Sequence, residues 1–255
     1  MTTVQDLFDF LKAVAPLELQ LDFDNAGFLI GHANSEVRKV LLALDVTDEV
    51  TEEAVQSGVQ LIVSHHPVIF HPVRSITDTR ADTVKLLRLI ENHIAVISMH
   101  TNLDIAEGGV NDVLIKLLGA EMDGVLDADG CGRVGHLSAP LSLEDFLARC
   151  KQTLAVNGLR YVSAGKPVQR LAVMGGAGAD SLAQAAALGC DTYVTADIKY
   201  HQFQRAAELG LNLIDADHFY TENPVIPVVA KRLAEKFPDV EFIVSQRHAA
   251  CIRFG

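Results

Sequence analysis

The sequence contains no tryptophan, and its aromatic residues make up only 6% of the chain. A core must therefore be built from Leu, Val, Ile and Ala, and the 49% hydrophobic content is ample for that. Cysteine is scarce too. The four residues Cys131, Cys150, Cys190 and Cys251 form no C-x-x-C pair and match no zinc spacing, so they read as reduced, mostly buried thiols. Apolar runs are short. None approaches the roughly 18 residues that a membrane span needs. Basic clusters are absent as well. The 21 Lys and Arg residues are scattered against 33 Asp and Glu, for a net charge of -12. Such a chain repels a phosphate backbone, so nucleic acid is not expected as a partner. The first residues, MTTVQDLFDFLKAVAP, carry acidic groups and read as an amphipathic helix rather than a secretory leader. The expectation is a soluble cytoplasmic protein with no membrane partner.

The apolar runs that do occur have the length and composition of buried strands: Val40 to Leu44, Leu61 to Val63, Ile94 to Ile97, Leu171 to Met174, Thr192 to Val194 and Leu211 to Ile214. They alternate with helical patterns. Thr51 to Ser57 and Ser181 to Leu188 read as crossover helices ended by Gly58 and Gly189. This alternation predicts an α/β fold with mostly parallel sheets.

Two stretches echo one another. KVLLALDVTDEVTEEAVQSGVQLIVSHH from Lys39 and RLAVMGGAGADSLAQAAALGCDTYVTAD from Arg170 share a plan of strand, loop, helix, Gly, strand and polar cluster. HIAVISMHTNLD then echoes GLNLIDADHFYTE, with His100-x-x-x-Asp104 opposite His218-x-x-x-Glu222. The echo predicts two similar α/β lobes that pool their loops into one site. The expected division is a first lobe over residues 1–125, with the C-terminal segment 220–255 packed on it, and a second over residues 126–219. Asp123 to Gly135, rich in Gly and Asp, is the expected linker.

Chemistry-bearing residues gather after the strands. His65 and His66 follow Leu61 to Val63; His100 and Asp104 follow Ile94 to Ile97; His218 and Glu222 follow Leu211 to Ile214. In open α/β sheets ligands bind beyond the carboxyl ends of strands. Adjacent imidazoles on extended backbone point to opposite sides and can serve different ions. His218 and Glu222, four apart, share a face if a helix begins there, and that helix would have to tolerate Pro224 in its first turn. A mixed imidazole and carboxylate set suits Zn, Mn, Fe, Co or Ni rather than Ca or Mg. His100 is a candidate for orienting a ligand or carrying a proton, and Asp197, Lys199 and His201 for lining the pocket. Gly175-Gly176-Ala177-Gly178 reads either as a tight turn or as a phosphate-cradling loop. His32, His71, His93, His136 and His248 are expected to carry no chemistry.

The blocks SHHPVIF, HTNLD, TADIKYH and DADHFYTE, with FDNAGFLIG from Phe23 to Gly31, resemble the signature blocks of the Nif-three-like proteins, also called GTP cyclohydrolase 1 type 2 homologues. They occur in that order along nearly the whole chain. The resemblance implies a two-lobed α/β subunit, often assembled as a homohexamer, with two divalent transition-metal ions per subunit. His65 and Asp104 would hold one ion, His66 and His218 the other, and Glu222 would bridge them. Ala196 and Asp217 stand where the family usually has Gly. The family name implies hydrolysis of a nucleotide ring, GTP in particular, or a related cyclic amide. A non-catalytic metal-binding regulatory protein would need the same ligands, and a nucleotide-binding protein using the Gly-rich loop alone would need none of them.

Overall fold

The computed structural model describes residues 1–253. The chain opens with α1 (Val4–Val14), β1 (Gly27–Ile30), β2 (Lys39–Ala43), α2 (Asp48–Ser57), β3 (Leu61–Ser64), α3 (Val84–Glu91), β4 (Ala95–Ser98) and the single-turn α4 (Thr101–Ile105). Then come α5 (Val110–Leu117), β5 (Glu121–Val125), β6 (Arg133–Leu141), α6 (Leu143–Leu154), β7 (Arg160–Val162), β8 (Val168–Val173), α7 (Leu182–Ala187), β9 (Thr192–Thr195), α8 (Tyr200–Leu209), β10 (Asn212–Asp215) and the single-turn α9 (His218–Glu222). The chain finishes with α10 (Val225–Lys236) and β11 (Glu241–Val244).

These elements form two compact units. The first is Met1–Ala106 with Ile226–Ala249, and the second is Glu107–Val225 with the chain from Ala250 onward. The division falls after Ala106, not at the expected 125, because β5 pairs antiparallel with β6 and so belongs to the second sheet. The expected linker from Asp123 to Gly135 is instead the end of β5, the start of β6 and the turn from Leu126 to Gly132 that joins them as a hairpin. The C-terminal segment joins the first unit only from Ile226. β11 pairs parallel with β2, whereas residues 220–225 remain with the second unit.

The first sheet runs β1-β4-β3-β2-β11, with β11, β2, β3 and β4 parallel and β1 antiparallel at one edge. The second runs β5-β6-β8-β9-β10-β7. Only β8, β9 and β10 are parallel there, so this sheet is mixed rather than mostly parallel. The antiparallel strands β5 and β7 are exposed edge strands, and β6, RVGHLSAPL, mixes polar and small residues with its apolar ones, so none gives an unbroken apolar run to read.

The internal echo has a topological counterpart. Each unit contains the series helix, antiparallel edge strand, strand, helix, strand, helix, strand, single-turn helix: α1-β1-β2-α2-β3-α3-β4-α4 and α6-β7-β8-α7-β9-α8-β10-α9. In each sheet the four strands lie in the same order, β1-β4-β3-β2 and β7-β10-β9-β8. The ladders correct the alignment by one residue. Ser64 pairs with Ser98, and Thr195 with Asp215. Counting onward from Ser98 and Asp215 sets His100 opposite Asp217 and Thr101 opposite His218.

Local chemistry fixes these elements. Thr47 caps α2 by accepting from the Val50 N–H, and Gly58 ends the helix in the left-handed conformation. β3 and β9 are buried along their whole length. Each fully buried Leu, Ile or Val there contributes about 1.5–3 kcal/mol. At the carboxyl edge of the first sheet Ser64 and Ser98 are joined by a hydroxyl hydrogen bond of 2.8 Å. Asn102 is wholly buried. Its amide donates to the Ala15 carbonyl at 2.8 Å and accepts from the His100 N–H at 2.9 Å, which pins the turn from β4 into α4.

Truncation of Asn102 leaves two buried backbone groups without partners, at about 1–3 kcal/mol. Asn102→Ala is therefore expected to lower the melting temperature by several degrees, measured by circular dichroism. An unchanged melting temperature would mean that this amide does not hold the turn.

Candidate metal centre

In the first unit three imidazoles converge at the carboxyl ends of β3 and β4. Ligand atoms of His65, His66 and His100 lie within 4.8 Å of one another. Each ring is held by its Nδ1. His65, with a fully buried side chain, donates to the Met99 carbonyl at 2.8 Å. His66 donates to Asp45 at 2.6 Å, and His100 to Asp24 at 2.7 Å. A carbonyl can only accept, so Nδ1 of His65 carries the proton and Nε2 is left as a lone-pair donor. The carboxylates impose the same tautomer on the other two rings. Burial raises the Asp24 carboxyl, but hydrogen bonds from His100 and Thr101 outweigh it and hold the group at about 2. Burial likewise acts upward on Asp45, and hydrogen bonds from His248 and His66 pull it well below the usual carboxylate range. Both are ionised acceptors at neutral pH.

The α4 turn adds Asp104, one residue short of its end. Asp104 Oδ1 lies 3.6 Å from His65 Nε2. That is too long for a hydrogen bond. It is close to the roughly 3.4 Å that separates two ligand atoms around a tetrahedral ion with bonds of about 2.1 Å.

The second unit supplies a matching pair on α9. His218 Nε2 and Glu222 Oε2 are 3.0 Å apart, on one face of the single turn. His218 again donates from Nδ1, here to Asp197 at 2.8 Å. Glu222 is buried. α9 ends at Glu222, so Pro224 falls between α9 and α10 and interrupts neither. Asp217 caps the turn by accepting from the Phe219 N–H, with φ +67° and ψ 141°. Backbone of that kind suits glycine, which explains the Gly that the resemblance leads one to expect there. Ala196, the other departure, has no positive φ and is fully buried.

The Gly-rich loop does not cradle phosphate through its glycine donors. Gly175 N–H donates to Asn111, Gly176 N–H to Thr221, and Gly178 N–H to Thr195, all at 2.9 to 3.0 Å. The three glycine donors are thus spent inside the protein and are not offered to a phosphate. The loop instead makes room for the ligands. A Cβ on Gly176 would lie 2.1 Å from Glu222 Oε1 and 3.1 Å from His218 Nε2, and the residue has φ +64°.

Sequence reading missed three residues. Asp24 lies in the FDNAGFLIG block without any mark of chemistry. Asp45 accepts from His66 on one oxygen and faces His248 Nε2 at 3.0 Å on the other. His248, expected to carry no chemistry, is thus a support behind His66. Asp197 is placed as a partner of His218, while Lys199 and His201 are exposed and enter none of the metal-holding groups among the described residues.

The sequence profile of the Duf34/NIF3 (NGG1p interacting factor 3) family matches residues 2–250. The chain belongs to the Duf34/NIF3 family. Among its relatives, the GTP cyclohydrolase 1 type 2 homolog of Clostridium perfringens is 36% identical over 95% of this chain and 96% of its own length. The GTP cyclohydrolase 1 type 2 of Helicobacter pylori strain J99 is 33% identical over 91% of this chain and 92% of its own. Among solved structures, the Bacillus cereus protein related to NIF3 superposes with a TM-score of 0.92 at 27% identity, covering 100% of this chain and 99% of that one. Reduced HcgD from Methanocaldococcus jannaschii gives 0.85 at 32% identity, covering 96% and 98%. No helix among the described residues is long and apolar enough to cross a membrane. Groups of His, Asp and Glu able to hold a metal ion are present at the positions quoted above.

Gly176→Ala tests the packing of this site without touching a candidate ligand. The added methyl must push the Glu222 carboxylate aside, and a left-handed Ala adds about 1 kcal/mol. The variant is expected to lose about 1–3 kcal/mol of stability in urea unfolding. Wild-type stability would show that the loop has space to spare.

Proposed function

We propose that this chain is a dinuclear metal-dependent hydrolase. Two divalent transition-metal ions from the group Zn, Mn, Fe, Co and Ni are held by His65 and Asp104, by His66 and His218, and by Glu222 as the shared carboxylate. The observation that carries this reading is the tautomeric lock: His65, His66, His100 and His218 each have Nδ1 committed to a fixed oxygen acceptor. Metal-ligating histidines have this arrangement, because the second hydrogen bond sets ring orientation and raises the basicity of the coordinating nitrogen. The spacing of His65 from Asp104 and of His218 from Glu222 fits shared coordination in each unit.

Two close ions, when bound, supply Lewis acidity and a water made nucleophilic at neutral pH. The remaining chemistry falls to the chain. His100 completes the trio of imidazoles, and we assign it proton transfer, with Asp24 stabilising the imidazolium that forms. Glu222 offsets the repulsion between two dications. The substrate we propose is a small molecule with a nucleotide ring or a related cyclic amide, in keeping with the names of the Clostridium and Helicobacter relatives. We further propose a cytoplasmic homohexamer, which rests on the family resemblance alone.

Elemental analysis after loading and desalting is expected to find close to two ions per chain in the wild type. Glu222→Gln, which keeps the volume but removes the negative charge and one of the two ligand oxygens, is expected to weaken binding of at least one ion by tenfold or more. The loaded wild type is expected to turn over a member of a panel of nucleotides and cyclic amides, with His100→Ala slowed by about 100-fold. Retention of no ion would sink the metal reading. Two retained ions with no turnover on any panel member would favour a metal-binding regulatory protein instead.

A further inference from the structure

Two phenylalanines beside the imidazole trio reach solvent. Phe23 is 63% exposed and Phe70 is 37% exposed. Their ring centroids lie 6.4 Å apart at 57°. Phe70 meets His100 edge-on at 6.0 Å, and His100 in turn lies 5.2 Å from His65 and 5.4 Å from His66. The rings thus form a continuous path from solvent to the candidate ligands, all within the first unit.

The pair is fixed on both sides. Phe23 immediately precedes Asp24, whose carboxylate accepts from His100 Nδ1 and from the Thr101 N–H at 3.0 Å. Phe70 immediately follows Ile69, whose carbonyl accepts from the Asn25 amide at 2.6 Å. One short segment, Phe23 to Asn25, therefore places one aromatic ring, grips the other ring's loop and holds the central imidazole. Exposed aromatic rings are costly to leave in water, and a solvated loop tip has no need of two. Two rings are too small an area for a stable protein interface, which buries about 800 Å² per partner. Tilted at 57°, they form an aromatic corner of a size to take one flat ring, stacked on one phenylalanine and edged by the other.

We propose that Phe23 and Phe70 form a stacking platform that binds a flat aromatic ring of the substrate and presents it to the imidazole trio. The proposal builds on the hydrolase reading but concerns binding, not turnover. Aromatic stacking tolerates any base because every base has a π-face, so the platform selects for flatness and the metal centre for the bond to be cut.

The test is calorimetric titration of the metal-loaded protein with purine riboside and, separately, with ribose 5-phosphate, which lacks the ring. The variants are Phe23→Leu and Phe70→Leu, which keep apolar volume but remove the π-face, and Phe70→Tyr, which keeps it. Wild type is expected to bind purine riboside more tightly than ribose 5-phosphate. Each Leu variant should weaken purine riboside binding by roughly tenfold or more, and Phe70→Tyr should stay within about threefold of wild type. Metal content measured on the same samples is expected to be unchanged. Leu variants that bind like wild type, or a wild type that binds ribose 5-phosphate as tightly or purine riboside not at all, would overturn the platform. Ring binding that depends on both phenylalanines in a protein that hydrolyses nothing would uphold the platform while sinking the hydrolase reading.

Discussion

Each imidazole of the candidate centre is held by one hydrogen bond from Nδ1 to an oxygen acceptor. The acceptors come from four places: the Met99 carbonyl, and the carboxylates of Asp45, Asp24 and Asp197. A histidine without such a partner samples two tautomers and several ring orientations. A histidine with one presents a single lone pair in a single direction, which is what a metal ion needs from it. Much of the surrounding structure serves these four bonds. The Ser64 to Ser98 hydroxyl contact aligns the strand ends that place His65, and buried Asn102 pins the backbone of His100. His248 steadies the Asp45 carboxylate from behind. In the second unit the Gly176 turn leaves room for the Glu222 carboxylate.

The repeated topology gives this arrangement an economical origin. In both units the third parallel strand of the series leads into a single-turn helix that carries a candidate ligand carboxylate, Asp104 on α4 and Glu222 on α9. The imidazoles are not distributed in the same way. The first unit places His65 and His66 after β3, while the corresponding positions after β9 are Ala196 and Asp197, and Asp197 has become the support of His218. The same strand-end position thus carries candidate ligands in one unit and the partner of a candidate ligand in the other. A repeated frame allows such differences, because the strands and crossovers are fixed by burial and the loops beyond them are not.

Much of this was legible in the sequence, for physical reasons that also mark where reading stops. The central strands β2, β3, β4, β8, β9 and β10 are buried on both faces, so they appear as unbroken apolar runs. β1 and β11, the edges of the first sheet, are the apolar segments GFLI and EFIV that sequence reading did not pick out as strands, while β5 and β7 are exposed edge strands whose mixed composition looks like loop. That is why the expected boundary at 125 split β5 from its partner. The ligand candidates stood out because His and carboxylates after apolar runs are rare. Their supports did not. Asp45 is 21 residues from His66 and His248 is 203 residues from Asp45, distances that no local pattern bridges. The match of His100 with His218 was one residue out because residue types were compared, whereas strand register is set by the ladders. The Gly-rich loop stayed open between a turn and a phosphate cradle for a similar reason: its sequence shows backbone donors, and only the fold shows where they are spent.

The central claim is that the locked imidazoles of the two units serve one pair of ions. Anomalous diffraction from crystals of the zinc-loaded protein, collected on both sides of the metal absorption edge, tests it most directly. The account predicts two peaks per chain. One should have His65 Nε2 and Asp104 within about 2.2 Å and the other His66 Nε2 and His218 Nε2, with one Glu222 oxygen on each or one oxygen shared between them. A single peak, or peaks confined to one unit with Glu222 outside coordination distance, would contradict it.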